Sequence, residues 1–300
     1  MIHIKPVLDM LKVHSTHYKS VGDYSVTTLL NPPRYVHLYK RYVDKADLNY
    51  DVMMPSFIGT GVHAYVEQCL SKTGKYTTEQ RMIADIADRR ISGTFDIYGD
   101  GEIWDIKTCK TWKVIFDPEF EEWTQQQNIY AFLLHLKGIE VKRLNIIALF
   151  LDWIELKSVK DPNYPQSPVV QYQLPLWSWK KTEEFLVGRV ELMKKYEETP
   201  DNELPACTSK EMWEDPTHFA CFKTPKAKRA ARVFDTIDEA IGYMKSTGGY
   251  TKDSFIEIRH GRRKRCDRYC EVNIFCNHYQ AYKKSMDDSN LIEIIPYEQI

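Results

Sequence analysis

No run of apolar residues in this 300-residue chain approaches the ~20 that a membrane-spanning helix requires; the longest, residues 146–151, fits a buried strand. Residues 1–20 interleave charges with apolar side chains and lack the continuous apolar segment of a secretory signal. The sequence has no repeat of 20–50 residues, no low-complexity tract and no G-x-x-x-x-G-K-[ST] phosphate loop. Cysteine is sparse: seven in all, an odd number, with none before Cys69. That argues against a disulfide framework and for reduced thiols or metal ligands. These absences lead to the expectation of a cytoplasmic protein with no membrane partner.

What is present suits a folded domain. Apolar residues make up 43% and aromatic residues 13%, too much for a disordered chain. The net charge of -1 hides two basic clusters: residues 223–232 carry five basic residues and no acid, and residues 259–268 carry six against Asp267 alone. Basic patches within a nearly neutral total suit a phosphate-binding face, although such charges also occur as solvated loops.

Hydrophobic periodicity sets the organisation. Pro32 and Pro33 precede RYVHLYKRYV, so a helix is predicted to start near Arg34. Residues 57–70 read as a second helix with His63 and Glu67 one turn apart. Residues 79–110 change to alternating segments, with Gly-Asp-Gly between FDIY and EIWDIK, which predicts a β-hairpin. A helix follows, stopped by Gly138, then strands over 141–156 and 169–176 and an amphipathic helix over 178–198. Beyond Thr199 prolines punctuate a polar stretch, with Thr236 and Glu239 as a capping box for a helix over 237–245. The expected division is a core over residues 1–199 and an extension over 200–300 packed on it.

The hairpin holds the chemistry. Asp96 lies on one strand and Asp105 with Lys107 on the other; alternate residues share a face, so Asp105 and Lys107 point the same way. Two carboxylates brought together repel unless a cation lies between them, and hard oxygen ligands favour Mg²⁺ or Mn²⁺. Such an ion with an adjacent lysine suits phosphodiester hydrolysis: Lys107 would orient or deprotonate water and neutralise charge developing on the phosphate. A bare D-x-K occurs by chance on exposed strands, so its neighbours decide. Gly59 to His63 form G-x-x-x-H before it, Gly93 to Asp96 form G-x-x-D, and Gln126 with Tyr130 form Q-x-x-x-Y after it.

That ordered set, over residues 25–151, resembles the PD-(D/E)xK nuclease superfamily. Within it, the set is most similar to RecB/AddB-type exonucleases and the related CRISPR-adaptation and phage recombination nucleases. The resemblance implies an α/β restriction-endonuclease-like core, a mixed central sheet flanked by helices. It implies His63, Asp96, Asp105 and the Ile106 carbonyl as metal ligands and Lys107 as the catalytic lysine. Gln126 and Tyr130 would hold the DNA backbone or the lysine. Glu67 offers a lesser role orienting His63, beside its plain reading as a solvated charge.

Cys266, Cys270 and Cys276 form C-x₃-C-x₅-C, close enough for one iron–sulfur or zinc centre that lacks a fourth ligand. Many RecB-like nucleases carry a 4Fe-4S cluster on one early cysteine and a late C-x₂-C-x₅-C. Here the late spacing is longer by one residue, and Asn31 stands where the early cysteine is expected. Cys207 is the favoured fourth ligand, with Cys221 or His278 as substitutes, and iron–sulfur is preferred to Zn²⁺. Cys69 and Cys109 read as small buried hydrophobes. The pinned 259–268 segment would guide a DNA strand, and Trp177, Trp213, Phe219 and Phe222 offer stacking surfaces or core.

The expectation is a metal-dependent DNA nuclease, an exonuclease in recombination, repair or end processing, acting on single-stranded DNA or duplex ends. It would work alongside a recombination or single-strand-binding protein, in a host cytoplasm if phage-encoded. The rivals are a non-catalytic nucleic-acid-binding module keeping the fold and a zinc-stabilised structural protein.

Overall fold

The computed structural model describes residues 4–15, 21–46, 48–288 and 293–300. Parts of the stretch read against a secretory signal, residues 1–3 and 16–20, lie outside the described residues. The elements run in the order α1 (Lys5–Ser15), β1 (Tyr24–Ser25), α2 (Val26–Leu29), α3 (Pro33–Tyr42), α4 (Met54–Ser71), β2 (Thr77–Ile86), β3 (Arg89–Gly99) and β4 (Glu102–Cys109). They continue with α5 (Thr111–Phe116), α6 (Glu121–His135), β5 (Arg143–Phe150), α7 (Glu155–Lys160), β6 (Val169–Leu174) and α8 (Trp179–Lys195). The last are α9 (Ser209–Met212), β7 (His218–Phe222), β8 (Arg232–Phe234), α10 (Ile237–Ser246), β9 (Phe255–Arg259), α11 (Asn277–Asp288) and β10 (Ile294–Pro296). The protein is α/β, with a mixed sheet flanked by helices. No described helix is long and apolar enough to cross a membrane.

The chain divides into two compact units, Met1–Asn31 with Asn49–Glu198 and Pro32–Leu48 with Thr199–Ile300. The helix α3, read from sequence as part of the N-terminal core, therefore counts with the second unit.

In the first unit, β4 and β5 are parallel while β2–β3, β3–β4 and β5–β6 are antiparallel. Two turns shape the left half of this sheet. Asp100 (φ 50°) and Gly101 (φ 79°) both take positive φ between β3 and β4, the tight hairpin turn that Asp-Gly favours. Ala87 (φ 48°) and Asp88 (φ 61°) do the same between β2 and β3 without a glycine. The predicted strand over 141–156 ends at Phe150, because the chain turns into α7 at Glu155. The Ser25 side chain accepts the Thr28 amide and caps the four-residue α2.

One edge of β3 is divided between two partners. β2 runs along the opposite edge from Tyr98 to Arg89. On this edge β4 pairs with 97–99 and β1 with 91–92, so residues 93–96 have no strand beside them. α6 packs over the sheet with Ile129, Tyr130, Phe132, Leu133 and Leu134 buried, and Glu121 and Glu122 in its first turn suit the positive end of the helix dipole.

The second unit is more ordered than a proline-punctuated polar stretch suggests. Its sheet runs β10-β9-β7-β8, and α10 covers a small core of Cys221, Ala240, Met244 and Ile256. Thr236 caps α10 through the Glu239 amide, as the sequence predicts.

Candidate active site

The site forms where the β3–β4 ladder stops. Pairing proceeds Gly99↔Glu102, Tyr98↔Ile103, Ile97↔Trp104 and ends there. One further step would set Asp96 against Asp105, on the same face of the sheet. Instead the strands part, and the Ile106 amide donates to Asp96 Oδ2 at 2.7 Å, so a carboxylate takes a backbone group's missing partner. Across β2 the register pairs Thr78↔Ile97 and Gln80↔Phe95 but skips Glu79, the residue that would face Asp96. Glu79 has φ 48°, a left-handed conformation that a side chain disfavours, inside an otherwise extended strand. Glu79, Asp96 and Asp105 therefore occupy one row across three strands.

His63, on α4, closes this row. Its Nδ1 lies 3.4 Å from Asp96 Oδ2 and 3.6 Å from Glu79 Oε1, and its Nε2 lies 2.9 Å from the Ile106 carbonyl oxygen. The acidic neighbour foreseen one turn along the helix, Glu67, is exposed; Glu79 takes the place beside the imidazole. Hydrogen bonding of the imidazole to Asp96 and then to Glu79, which accept from it, raises the His63 pKa to about 10, against the opposing effect of burial.

Asp105 is buried, and burial raises its pKa to about 6 although Lys107 pulls it down. Its Oδ1 accepts from Gln127 Nε2 at 2.8 Å. Its Oδ2 lies 2.7 Å from Lys107 Nζ, an ion pair that ties the carboxylate to the lysine. Lys107 Nζ donates to Gln126 Oε1 at 3.0 Å, and Gln126 Nε2 donates to Tyr130 Oη at 3.0 Å. Tyr130 is buried, which raises its phenol pKa, and its ring lies so close to Gly93 that a Cβ there would stand 2.7 Å from Cε1. The structure thus brings His63, Asp96, Asp105, Ile106, Lys107, Gln126 and Tyr130 to one place. It adds Glu79 and Gln127, which the sequence reading missed.

These donors suit a hard divalent cation. Neighbouring ligands about 2.1 Å from an octahedral ion stand about 3.0 Å apart. The His63 Nε2 to Ile106 carbonyl separation of 2.9 Å matches that spacing. His63, Glu79 and Asp96 also place one ligand atom each within 4.8 Å of the others.

The late cysteines lie in the second unit. They lie near one another: Cys207 and Cys266 are each within electrostatic range of Cys276, Cys207 also of Cys270, and Cys270 of Cys266. Burial raises the thiol pKa of Cys207 and Cys270 to about 12 and of Cys266 to about 11, so these sulfurs are neutral without a metal. Arg34 is buried beside them: it donates to the carbonyls of Leu204 and Pro205 and to Asn277 Oδ1 at 2.7 Å, and places Nη1 3.7 Å from Cys276 Sγ. Cys221, named as a substitute ligand, lies in the sheet core with its Sγ toward the Ala240 carbonyl. Burial, and then the neighbouring charges of Arg263 and Arg34, lower the pKa of His278.

Other expectations change. Cys69 is exposed rather than buried. Phe222 stacks on Phe255 and Phe219 packs against the core of the second sheet, so neither is a free stacking surface. Trp177 packs edge-on to Phe185, whereas Trp213 is 47% exposed.

No family model matches the sequence, and no curated protein matches it. Among solved structures, the crystal structure of SSO0001 is similar at a TM-score of 0.46 and 19% identity, covering 67% of this chain and 89% of that one. That likeness is too distant to carry an argument about activity.

Proposed function

We propose that the protein is a Mg²⁺- or Mn²⁺-dependent deoxyribonuclease. The observation that carries this reading is the row of Glu79, Asp96 and Asp105 at the broken β3–β4 ladder, with Lys107 held beside it. His63, Asp96, Asp105 and the Ile106 carbonyl would hold the ion, and Glu79 would orient the imidazole through Nδ1. A bound divalent ion supplies Lewis-acid polarisation of the phosphate and a more acidic water.

The chain's own residues do the rest. Lys107 keeps its ammonium between Asp105 and Gln126, where it donates to a phosphate oxygen or to the attacking water. Tyr130 fixes Gln126, and Gln127 fixes Asp105, so neither the lysine nor the carboxylate has to reorganise during the reaction. The substrate is DNA, as a single strand or a duplex end, and the resemblance to RecB-like nucleases favours exonuclease action in recombination, repair or end processing.

Cys207, Cys266, Cys270 and Cys276 would hold a 4Fe-4S cluster, with Arg34 as a buried cation near the thiolates. A tetrahedral zinc with thiolates at about 2.3 Å would set the sulfurs about 3.8 Å apart. The resemblance to RecB-like nucleases, many of which carry such a cluster, is what favours iron–sulfur over zinc.

The test incubates labelled linear and circular DNA with Mn²⁺, comparing the wild type with Lys107→Ala. Loss of the linear substrate with wild type alone supports the reading, and survival of the circle assigns exonuclease action. Equal cleavage by both proteins, or by neither, overturns it.

A further inference from the structure

The two basic clusters of the second unit differ in a way that the sequence does not reveal. In residues 259–268 three of the six basic residues, and His260, are matched by acids. Arg259 pairs with Glu257 at 2.6 Å, His260 with Glu293 at 2.7 Å and Arg263 with Glu214 at 3.0 Å, and Lys264 pairs with Asp215. Arg265 lies over the rings of Tyr35 and Trp213 and donates to the Glu211 carbonyl. This segment uses its charge to hold the cysteine-bearing turns together.

Residues 223–232 are the reverse. They form the loop of the β7–β8 hairpin, closed at its base by the Ala231 amide on the Cys221 carbonyl at 2.8 Å. Lys223, Lys226, Lys228, Arg229 and Arg232 are all exposed. Among the described residues none of them pairs with a carboxylate. Aromatic faces take that place: Arg232 lies 5.1 Å from the Phe234 ring centre and 5.5 Å from that of Tyr243, and Lys223 lies 5.5 Å from that of Tyr250. Two acids that follow in sequence are engaged elsewhere, Asp235 with His218 at 2.9 Å and Glu239 with the Thr236 hydroxyl. β8 is the edge strand of its sheet.

We infer that the β7–β8 loop, and not the 259–268 segment, is the surface that grips the phosphate backbone of nucleic acid. Unmatched cations gain most from a polyanion, because each phosphate neutralised releases a condensed counterion and no internal ion pair has to be broken. The inference rests on the nuclease reading for its choice of partner, but its test reads binding, not cleavage.

The experiment uses the full chain carrying Lys107→Ala, in EDTA, with a fluorescein-labelled oligothymidylate followed by anisotropy over a salt series. Adding Lys226→Ala, Lys228→Ala and Arg229→Ala is expected to weaken binding at least tenfold at low salt. It should also reduce the slope of log K against log salt by about 2, since each single-strand phosphate contact contributes roughly 0.7. Arg259→Ala with Lys264→Ala, in the matched segment, should leave the slope unchanged, and circular dichroism confirms that each variant is folded. An unchanged slope in the loop variant, or a lowered slope only in the second pair, overturns the inference. So does flotation with phosphatidylserine vesicles that the loop variant loses while oligonucleotide binding persists. If the loop governs the slope but the wild type fails to cut in Mn²⁺, the surface stands and the nuclease reading falls; cutting with an unaffected slope has the opposite meaning.

Discussion

Gln127 Nε2 donates to Asp105 Oδ1 at 2.8 Å, with Gln127 wholly buried and Asp105 only 2% exposed. A buried carboxylate that loses a donor is destabilised by about 1–3 kcal/mol, whereas the Gln127 Oε1, which has no partner, gains nothing by staying. Gln127→Leu should therefore lower metal-free stability by a net ~1 kcal/mol or more, read as a shifted urea midpoint. DNA cleavage should fall further than stability, because Asp105 is no longer fixed. An unchanged midpoint would mean that this contact does not hold the carboxylate.

Glu79 presents the opposite balance. Its left-handed backbone costs a side-chain-bearing residue about 1–2 kcal/mol. Its partly exposed contact with His63 returns at most about 1 kcal/mol. Glu79→Gly is expected to raise the melting temperature of the metal-free protein while weakening Mn²⁺ binding, measured by calorimetry on the same samples. Tighter Mn²⁺ binding by this variant would remove Glu79 from the site.

His63 gives a pH signature. Its folded pKa, raised to about 10 from an ordinary 6.5, means that its stabilisation is fully present below about 6.5 and is lost as pH rises through about 10. The melting-temperature difference between metal-free wild type and His63→Gln should be constant in acid and vanish toward pH 10. A difference that grows with pH would reverse the assigned sign.

Arg34 reaches two carbonyls, an amide oxygen and a thiol, a spread of acceptors that a lysine's single ammonium does not match. Arg34→Lys should accelerate hydrogen exchange across residues 204–207 and 276–277 while leaving β3 and β4 protected. Equal acceleration in both units would mean that the substitution acts globally.

The hairpin was legible because Asp100-Gly101 dictates a tight turn and the strands on each side carry the D-x-K pattern. His63, Gln126 and Tyr130 were legible through their spacing along helices. Glu79 was not, since its relation to Asp96 depends on how β2 pairs and on a backbone kink that no residue type at that position announces. Gln127 was hidden in a run of three glutamines, where only the rotation of α6 decides which one meets Asp105. The second sheet escaped notice because strands as short as Arg232–Phe234 and Ile294–Pro296 hold too few residues to display an alternation. Of the basic clusters, sequence showed where the cations are but not which have acidic partners.

The chain enters its second unit twice, once at Pro32–Leu48 and again from Thr199. A gene fragment starting at Thr199 would encode the sheet and every late cysteine yet omit Arg34, leaving the backbone at Leu204 and Pro205 without its clasp. Any transfer of this C-terminal half to another scaffold, by recombination or by protein engineering, has to bring the early helix with it.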